Sequence, residues 1–355
     1  MKILVLPREE TNPYQELLYQ EMRGQGTQVS YLGEITPSHT LNLLLLPLET
    51  AVSRLRGARV VHLHWVYAFG LFGSDRSVLP RLAAQAWFSL WLAAVRLLGL
   101  RLVWTAHNAL PLTPVFADDL RARRWLVAAS DLVIAHSPAT LEQLAGLGIR
   151  PRRSAVIPHG PFTEPSEPGG RRSPGEGEQP RHFLFLGKIR HYKGVDTLLE
   201  AFAALPPELD ADLTVAGECG DRSLAAELTR LAARSQGRVT LRLEWIPDEE
   251  ASRLLQAADA MVLPYRNITT SGSGLLGVGH GRPLVVPDLP GLAGLPDDAV
   301  VRYDGTAEGL RDALAGIILA DAAVLATMSS AAYAFSGGVS WTEIAERTMT
   351  EIADL

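Results

Sequence analysis

Three cationic residues follow one hydrophobic run in the second half of the chain. The segment HFLFLGKIRHYKGVDTLLEAF, residues 182–202, places Lys188, Arg190 and Lys193 between a strand-like stretch and an amphipathic helical pattern. Cations at the carboxyl end of a strand, beside a helix start, can form charge-assisted hydrogen bonds to a phosphate. The pattern predicts a phosphate clamp. The alternative is a solvated turn in which basic residues cluster without function.

A glycine-rich segment further along is the counterpart of these cations. In PYRNITTSGSGLLGVGHGRP, residues 264–283, a helix would start at Ser271, Gly272, Ser273 and Gly274. Their N–H groups and hydroxyls would lie at the positive end of the helix dipole, where glycine lets a diphosphate approach the main chain. The alternative is a capped helix packed through small residues. Together the two segments predict a nucleotide diphosphate site, for which we expect the loop at Trp245 and Ile246 to face the base.

Acid–base candidates lie in the first half of the chain. His107 follows the strand-like run RLVWTA, and Asn108 could orient it. A neutral imidazole can take a proton from an acceptor hydroxyl, although His107 could equally be a hydrogen-bonded cleft residue. Glu9 and Glu10, in the first strand–helix loop, are the reserve candidates for the base. Their alternative role is to compensate the dipole of the following helix.

Residues at the same strand ends are candidates for contacts with an acceptor. Asn12 and Tyr14 share the loop REETNPYQ with the two glutamates, and VVHLHW ends in His64 and Trp65. His62 and His64 share one face of the strand, and no further metal ligand lies near them in sequence. We therefore expect His62 to be a structural histidine, and we predict no metal site.

The elements that must position these residues alternate along the whole chain. Helical patterns separate strand-like runs, which are KILVLP, QVSYL, RVVHLH, RLVWTA and DLVIAH, then HFLFLG, DLTVAGE, RVTLRL, AMVLPY and PLVVPD. Such alternation is typical of parallel sheets with helices on both faces. The fold class is therefore α/β, with two Rossmann-like domains facing each other across a cleft, and ligands are expected at the carboxyl ends of the strands.

A change in composition divides the two halves. Residues 161–181 are rich in Pro, Gly and charge without an apolar period, which predicts a flexible linker about which the domains could close. We predict an acceptor-binding domain over 1–160 and a nucleotide-sugar-binding domain over 182–335. A capped amphipathic helix, WTEIAERTMTEIADL, lies in the segment 336–355, which is expected to pack back toward the first domain.

Charge and hydropathy bear on location. Residues 1–160 carry 16 Lys and Arg against 11 Asp and Glu, a net charge of +5, whereas the remainder carries −11. Either the basic half meets an anionic surface or the asymmetry is ordinary scatter. The apolar run 82–95, between Arg81 and Arg96, is too short for a span of about 20 residues but could insert shallowly into anionic lipid. The single cysteine, Cys219, fits a reducing cytoplasm.

The order of these motifs resembles GT-B glycosyltransferases. The resemblance covers GKIRHYKG, EWIPDEEASRLLQAADAMVLPY, the glycine-rich helix and GRPLVVP. In the large retaining families of that fold, two glutamates separated by seven intervening residues lie in this segment, at positions that are here Ile268 and Leu276. The chain is more similar to the β-mannosyltransferases of xanthan assembly, at Asn12-Pro13-Tyr14, HLHW, His107-Asn108 and His159-Gly160.

This resemblance implies an inverting hexosyltransferase. Because no DxD-like metal motif is convincing, and the cations with the helix dipole could take the place of a metal ion, we also predict a metal-independent reaction without a cofactor. The resemblance implies GDP-mannose as the nucleotide-sugar donor, and a glycan, glycoside or lipid-diphosphate-linked acceptor. A lipid-linked acceptor would agree with a cytoplasmic protein in peripheral contact with the inner face of the plasma membrane. A retaining hexosyltransferase, a nucleotide-sugar epimerase and a noncatalytic nucleotide-sugar-binding protein remain as alternatives.

Overall fold

A computed structural model of the chain describes residues 1–10, 12–71, 73, 77–111, 113–162, 180–268 and 271–355. The strands are β1 (Lys2–Leu6), β2 (Gln28–Tyr31), β3 (Val60–Leu63), β4 (Arg101–Ala106), β5 (Leu132–Ala135), β6 (Ser154–Val156), β7 (Arg181–Leu186), β8 (Ala211–Ala216), β9 (Val239–Arg242), β10 (Ala260–Val262), β11 (Leu284–Pro287) and β12 (Val300–Tyr303). The helices are α1 (Tyr14–Gly24), α2 (His39–Leu55), α3 (Val78–Leu97), α4 (Asp119–Ala129), α5 (Pro138–Gly146), α6 (Val195–Ala203), α7 (Arg222–Ala232), α8 (Asp248–Ala257), α9 (Gly272–Gly279), α10 (Ala307–Leu319), α11 (Ala322–Gly337) and α12 (Trp341–Ala353).

The chain forms two compact α/β domains. The first contains residues 1–160 and 340–355, and the second contains residues 161–339. The second domain starts its sheet at Arg181, one residue earlier than predicted, and α11 continues past 335 to Gly337. Most of the predicted linker, residues 163–179, lies outside the described residues.

Each domain is built on a six-stranded parallel sheet. The strand orders are β2-β1-β3-β4-β5-β6 in the first domain and β12-β11-β10-β7-β8-β9 in the second. The central strands are continuous apolar runs because helices cover both faces of a parallel sheet. All ten predicted strands are present, which confirms the expected pair of Rossmann-like α/β domains.

The first domain is completed by the last helix of the chain. Ser340 caps α12 by accepting a hydrogen bond from the N–H of Glu343, and the helix packs against α1. Thr342 donates to Glu21 at 2.9 Å, and Arg153 forms an ion pair with Glu351 at 2.8 Å. The two ends of the sequence therefore lie side by side in one domain.

The helix α3 is longer than its uncharged run suggested. It spans 20 residues with Ser77 as its N-cap, and it is the one helix among the described ranges that is long and apolar enough to cross a membrane. The prediction that this segment is too short for a span was therefore wrong. Phe88, Trp91 and Val95 are buried in the core of the first domain, so one side of α3 is a core face.

Candidate functional site

The cationic loop of the second domain is held close to the end of β10 by a glycine. After β7 the chain passes Gly187 and a short 3-10 helix, His191–Lys193, before Gly194 starts α6. Gly194 has φ +67°, and a Cβ there would lie 1.9 Å from the carbonyl oxygen of Pro264. Only glycine allows both the left-handed backbone and this approach. The loop therefore lies directly against the segment that follows β10.

Lys193 and the start of α9 meet at one buried hydroxyl. The Lys193 Nζ lies 3.1 Å from the Tyr265 hydroxyl and 4.6 Å from the centroid of its ring. Ser271 Oγ donates to the same hydroxyl at 3.2 Å and accepts from the N–H of Gly274 at 3.0 Å. Tyr265 is only 2% exposed, so its hydroxyl is fixed in place. The two segments predicted to form a diphosphate site are thus joined by Tyr265.

The end of β7 converges on the same point. A Cβ added at Gly187 would lie 2.9 Å from Ser273 Oγ and 3.7 Å from Lys193 Nζ. A lysine ammonium, a serine hydroxyl and a bare strand end therefore surround one small volume at the N-terminus of α9. Such an arrangement of donors at a helix start favours an anion. The ring of Phe162 lies over Gly272, within 2.8 Å of a Cβ built there.

The other two cations of the loop lie apart from this point. Arg190 is exposed, its guanidinium donates to the carbonyl of Ile189 at 3.3 Å, and a Cβ at Gly220 would lie 3.5 Å from it. It therefore points toward the loop after β8. Lys188 is exposed on the same loop. Of the predicted clamp, the structure brings only Lys193 to the start of α9.

The residues predicted to face a base differ in accessibility. The side chain of Trp245 is 61% exposed, an unusual position for an indole, and it is free to stack on a ring. Ile246 is 8% exposed and belongs to the core of the second domain. Because this side chain is buried, Ile246 could contribute to a base contact only through its backbone groups, and the expectation that the loop faces a base stays a prediction.

The positions of the two missing glutamates are apolar in three dimensions as well. Ile268 is buried in the core of the second domain, and Leu276 packs against the same core. Neither side chain can hydrogen-bond a sugar hydroxyl. The polar groups that the structure places at the start of α9 are backbone N–H groups and hydroxyls.

In the first domain a buried hydrogen-bond chain links four histidines. It runs from Thr105 through His62, Tyr19, His64, His107 and His136 to the carbonyl oxygen of Ile157. The successive donor–acceptor distances are 2.7, 2.8, 2.7, 3.1, 3.2 and 3.1 Å. All the side chains in the chain are buried. We refer to this arrangement as the histidine chain.

The carbonyl of Ile157 determines the proton positions in half of the histidine chain. A carbonyl only accepts, so the Nδ1 of His136 must carry a proton. Neutral His136 then accepts at Nε2, so His107 donates from Nδ1 and accepts at Nε2. His64 must therefore donate from its Nδ1. Each of these three rings is thereby a single tautomer.

The remaining half follows from the single proton of Tyr19. The Tyr19 hydroxyl donates to Nε2 of His64, so its oxygen accepts from Nδ1–H of His62. The Nε2 of His62 then accepts from the hydroxyl of Thr105. Every nitrogen of the four rings has one partner of the correct kind. This confirms His62 as a satisfied structural histidine.

Burial keeps these histidines neutral. Loss of hydration lowers the pKa of His62 to about 3 and that of His136 to about 4. The pKa values of His64 and His107 lie well below 6.5, first through burial and then through the neighbouring histidines. An added proton would set two donors against each other, so the chain is stable only in its neutral form.

Because both ring nitrogens of His107 have partners, neither is available to take a proton from the hydroxyl of an acceptor substrate. His64 donates to its Nε2, and its Nδ1–H donates to His136, so it cannot take a proton without breaking the histidine chain. The geometry therefore speaks against His107 as the base. Instead, the ring of Trp65 stacks on His107, with centroids 4.3 Å apart and planes at 14°.

Tyr14 is the centre of the aromatic cluster around the histidine chain. It is 1% exposed, and its ring contacts His64, His107, His136, His159 and Trp341 at centroid distances of 4.8–5.7 Å. The prediction that Tyr14 contacts an acceptor was wrong, because its side chain is enclosed. Asn12 accepts from the N–H of Tyr14 at 3.0 Å and so supports the start of α1.

The two reserve glutamates lie in different environments. Glu9 is partly buried and accepts a hydrogen bond from the phenol of Tyr67. Glu10 is exposed and pairs with Arg8 at 3.5 Å. Asn108, next to His107, is partly exposed. Glu9, Tyr67, Trp65 and Asn108 therefore share the carboxyl edge of the first sheet, after β1, β3 and β4.

Sequence reasoning did not name several residues that hold these sites together. They are Tyr19, Tyr67, His136 and Tyr265. His136 and Tyr265 are the last residues of the predicted strands DLVIAH and AMVLPY, at strand ends where ligands bind, and that position could have drawn attention to them. Among the described residues, no group of three or more His, Cys, Asp or Glu side chains could hold a metal ion.

Family models match both domains. Residues 79–164 match Glycosyltransferase Family 4, and residues 180–320 match Glycosyl transferases group 1. The chain is 26% identical over 285 residues to the GDP-mannose:glycolipid 4-beta-D-mannosyltransferase of Xanthomonas campestris pv. campestris, covering 79% of this chain and 71% of the relative. It is 32% identical over 266 residues to the D-inositol 3-phosphate glycosyltransferase of Actinosynnema mirum, covering 64% and 63%.

Solved structures share the fold. Sucrose-phosphate synthase from Thermosynechococcus elongatus superposes with a TM-score of 0.76 at 15% identity, over 99% of this chain and 98% of that one. Anabaena HepE in complex with UDP-glucose superposes with a TM-score of 0.70 at 17% identity, over the whole of both chains. With its two parallel-sheet domains and the two family matches, the chain is a glycosyltransferase of the GT-B fold, with a family 4 domain followed by a group 1 domain.

Proposed function

We propose that this glycosyltransferase moves mannose from GDP-mannose, with inversion, to a glycan, a glycoside or a lipid-diphosphate-linked sugar. The observation that carries the proposal is the meeting of Lys193 and Ser271 at the hydroxyl of Tyr265, beside Gly187 and Ser273. This arrangement suits a diphosphate. The choice of mannose rests on the similarity to the Xanthomonas mannosyltransferase.

The same groups would stabilise the leaving nucleoside diphosphate. Negative charge develops on it as the bond to the anomeric carbon breaks, and Lys193 together with the N–H groups that start α9 would neutralise that charge. This role is often taken by a metal ion, so we propose a metal-independent reaction without a cofactor. Turnover that persists in excess EDTA would support this proposal, and turnover restored only by Mg²⁺ or Mn²⁺ would contradict it.

The absence of carboxylates at Ile268 and Leu276 supports inversion. Without the two glutamates, the start of α9 departs from the retaining pattern. Proton NMR of the product is the test, because a β-linked product from the α-linked donor shows inversion. An α-linked product would establish the retaining alternative, and donor turnover without any acceptor would indicate an epimerase.

Donor identity is tested by ligand-induced thermal stabilisation. We expect GDP and GDP-mannose to raise the melting temperature more than UDP and UDP-glucose do. Stabilisation by UDP alone would overturn the choice of donor. Nucleotide binding with no turnover for any acceptor would favour a noncatalytic binding protein.

We also propose that the first domain contacts an anionic membrane. The outer faces of α2 and α3 carry exposed leucines with helical spacing, Leu41, Leu44, Leu48 and Leu55 on α2 and Leu79, Leu82, Leu90 and Leu97 on α3. The two helices are tied together by Trp87, whose indole N–H donates to the carbonyl of Leu43 at 2.8 Å. An adjacent pair of apolar faces is more than a monomer ordinarily exposes.

The charges around this surface favour anionic lipid. No acidic residue occurs between Asp75 and Asp118, while Arg96 ends α3 and Arg54 and Arg56 end α2. We expect sedimentation with vesicles that contain phosphatidylglycerol, and less with phosphatidylcholine alone. Leu79→Gln with Leu90→Gln should abolish it, whereas Leu319→Gln, an equally exposed leucine of the second domain, should not. Equal sedimentation of all variants would contradict the proposal.

A further inference from the structure

The structure separates the two glutamates that sequence reasoning left equivalent. Glu9 accepts a hydrogen bond from the hydroxyl of Tyr67, which lies in the short 3-10 helix Val66–Phe69 after β3. Glu10 extends into solvent, where it pairs with Arg8. β1 and β3 are neighbouring strands, paired at Leu6 and Leu63, so their carboxyl ends bring Glu9 and Tyr67 together.

The loop that carries Glu9 is anchored from below. The amide of buried Gln15 donates to the carbonyl of Pro7 at 2.8 Å, and its oxygen accepts from the N–H of Glu9 at 2.9 Å. The Glu9 backbone is therefore held by the first helix, and its carboxylate is held by Tyr67. A carboxylate restrained at both ends is pre-organised for one position.

The surroundings of Glu9 suit a sugar ring. Trp65 lies 6.2 Å from Tyr67 between ring centroids, and its ring is backed by His107. Aromatic surface with a few directed polar groups is the usual composition of a small-molecule site.

The histidine chain removes the main competitor for the role of base. Both nitrogens of His107 are engaged with other histidines, so this ring cannot accept a further proton as the structure stands. Glu9 lies at the same sheet edge, and an ionised carboxylate has about four lone-pair sites, so it can accept from more than one donor. A carboxylate can accept from a tyrosine and from a sugar hydroxyl at the same time.

We propose that Glu9 is the catalytic base for the acceptor hydroxyl and that Tyr67 is its positioning residue. The acceptor O–H proton passes to a carboxylate oxygen of Glu9 as the acceptor oxygen bonds to the anomeric carbon. The bond from that carbon to the diphosphate oxygen breaks, and its electron pair leaves with the nucleoside diphosphate. This inference rests on the proposed inverting transfer.

The first test compares Glu9→Gln with Glu10→Gln. We expect Glu9→Gln to lower kcat at least 100-fold, the scale of a lost general base, while the melting-temperature shift caused by the donor stays that of the wild type. Glu10→Gln should stay within about threefold of the wild type. Wild-type-like turnover by Glu9→Gln would overturn the proposal, whatever the identity of the donor.

The second test uses the pH profile of Tyr67→Phe. Loss of the hydrogen bond to the carboxylate should raise the pKa of Glu9, so the acidic limb of kcat/KM moves to higher pH. A structural role alone would lower activity without moving this limb, and that result would remove Tyr67 from the mechanism. An α-linked product from the wild type would instead defeat the proposed inversion itself, which keeps the two failures apart.

Discussion

Both domains are built on a six-stranded parallel sheet, with different strand orders, and the carboxyl edges of the two sheets carry opposite chemistry. In the first domain this edge is built from buried neutral groups, with four histidines and a tyrosine satisfying one another. In the second it is built from a lysine, hydroxyls and bare backbone at a helix start. Two domains of the same α/β class can therefore use the carboxyl edge of the sheet differently, as a rigid uncharged support in one and as a candidate anion site in the other.

The free-energy cost of burying a charged group explains this contrast. Buried imidazoles are tolerated only when neutral and fully hydrogen-bonded, so the histidine chain holds Trp65 in place and cannot carry charge. An anion receptor must keep its cation partly hydrated and near the ligand, and Lys193 is partly buried rather than enclosed. Four predictions test this contrast between the two edges, in order of decreasing expected effect.

Acidification should destabilise the first domain far more than the second. Five of its histidines have a pKa lowered below 6.5, namely His62, His64, His107, His136 and His159. Below pH 6.5 these histidines are protonated in the unfolded chain but stay neutral in the folded domain. The free energy of unfolding therefore decreases as the pH falls. Each histidine lowers the free energy of unfolding by about 1.4 kcal/mol for every pH unit below 6.5. The five together therefore cost about 7 kcal/mol when the pH falls from 7.5 to 5.5.

Hydrogen exchange resolved by domain at pH 7.5 and 5.5, corrected for intrinsic exchange rates, measures this effect. The second domain contributes one buried histidine with a lowered pKa, His280, and should lose much less protection. Equal loss in both domains would contradict the neutral histidine chain.

Tyr19→Phe should be the most damaging conservative change in the first domain. It removes the donor to His64 and the acceptor for His62, leaving two buried nitrogens unsatisfied. We expect a loss of about 2–4 kcal/mol in the free energy of unfolding, measured with urea. Tyr31→Phe, at a partly exposed tyrosine outside the histidine chain, is the matched control and should cost less than about 1 kcal/mol. Similar losses for both variants would show that the chain adds no stability.

Lys193→Ala should weaken the donor site without unfolding the second domain. It removes a cation that contacts Tyr265 beside the start of α9, which is worth about 1.5–3 kcal/mol as a charge-assisted contact. We expect kcat/KM for the donor to fall by about 10- to 150-fold. Lys188→Ala, an exposed lysine of the same loop, should have a several-fold smaller effect. The reverse order would mean that the loop rearranges around the donor.

Tyr265→Phe should give a smaller loss at the same site. The ring stays in its core position, but Lys193 and Ser271 lose the hydroxyl that joins them. One lost hydrogen bond of about 1 kcal/mol predicts a several-fold increase in the Kd for the nucleoside diphosphate, measured by calorimetry. An unchanged Kd would show that Tyr265 does not position the two groups.

Local patterns predicted most of the fold because buried strands in parallel sheets are plain apolar runs. The strands β6 and β12 were missed because both are edge strands, and β6 has only three residues, none of them buried. In helix α2, leucines lie on several faces and Pro47 falls inside the helix, so its helical period is hard to see in the sequence. Short or all-round apolar segments carry too little periodicity to be assigned.

The candidate sites also have features that the sequence shows and features that only tertiary contacts set. The cations, the glycines and the missing glutamates could be seen in sequence, because residue type and spacing alone define an anion receptor at a helix start. Which cation reaches the helix could not be seen, since Tyr265 and Gly194 decide it through contacts between separate strands. The same holds for His107, whose strand-end position suggested a base while its neighbours in space occupy both of its nitrogens.

From the sequence alone it was possible to derive the two α/β domains and the loss of the two-glutamate pattern, and to predict a phosphate site in the second domain. Only the tertiary structure decided that His107 is enclosed, that Glu9 and not Glu10 is held by Tyr67, and that Lys193 is the cation at the helix start. The physical reason is that periodicity and residue type are local properties. Burial, tautomer and hydrogen-bond partner are set by residues brought together from distant parts of the chain.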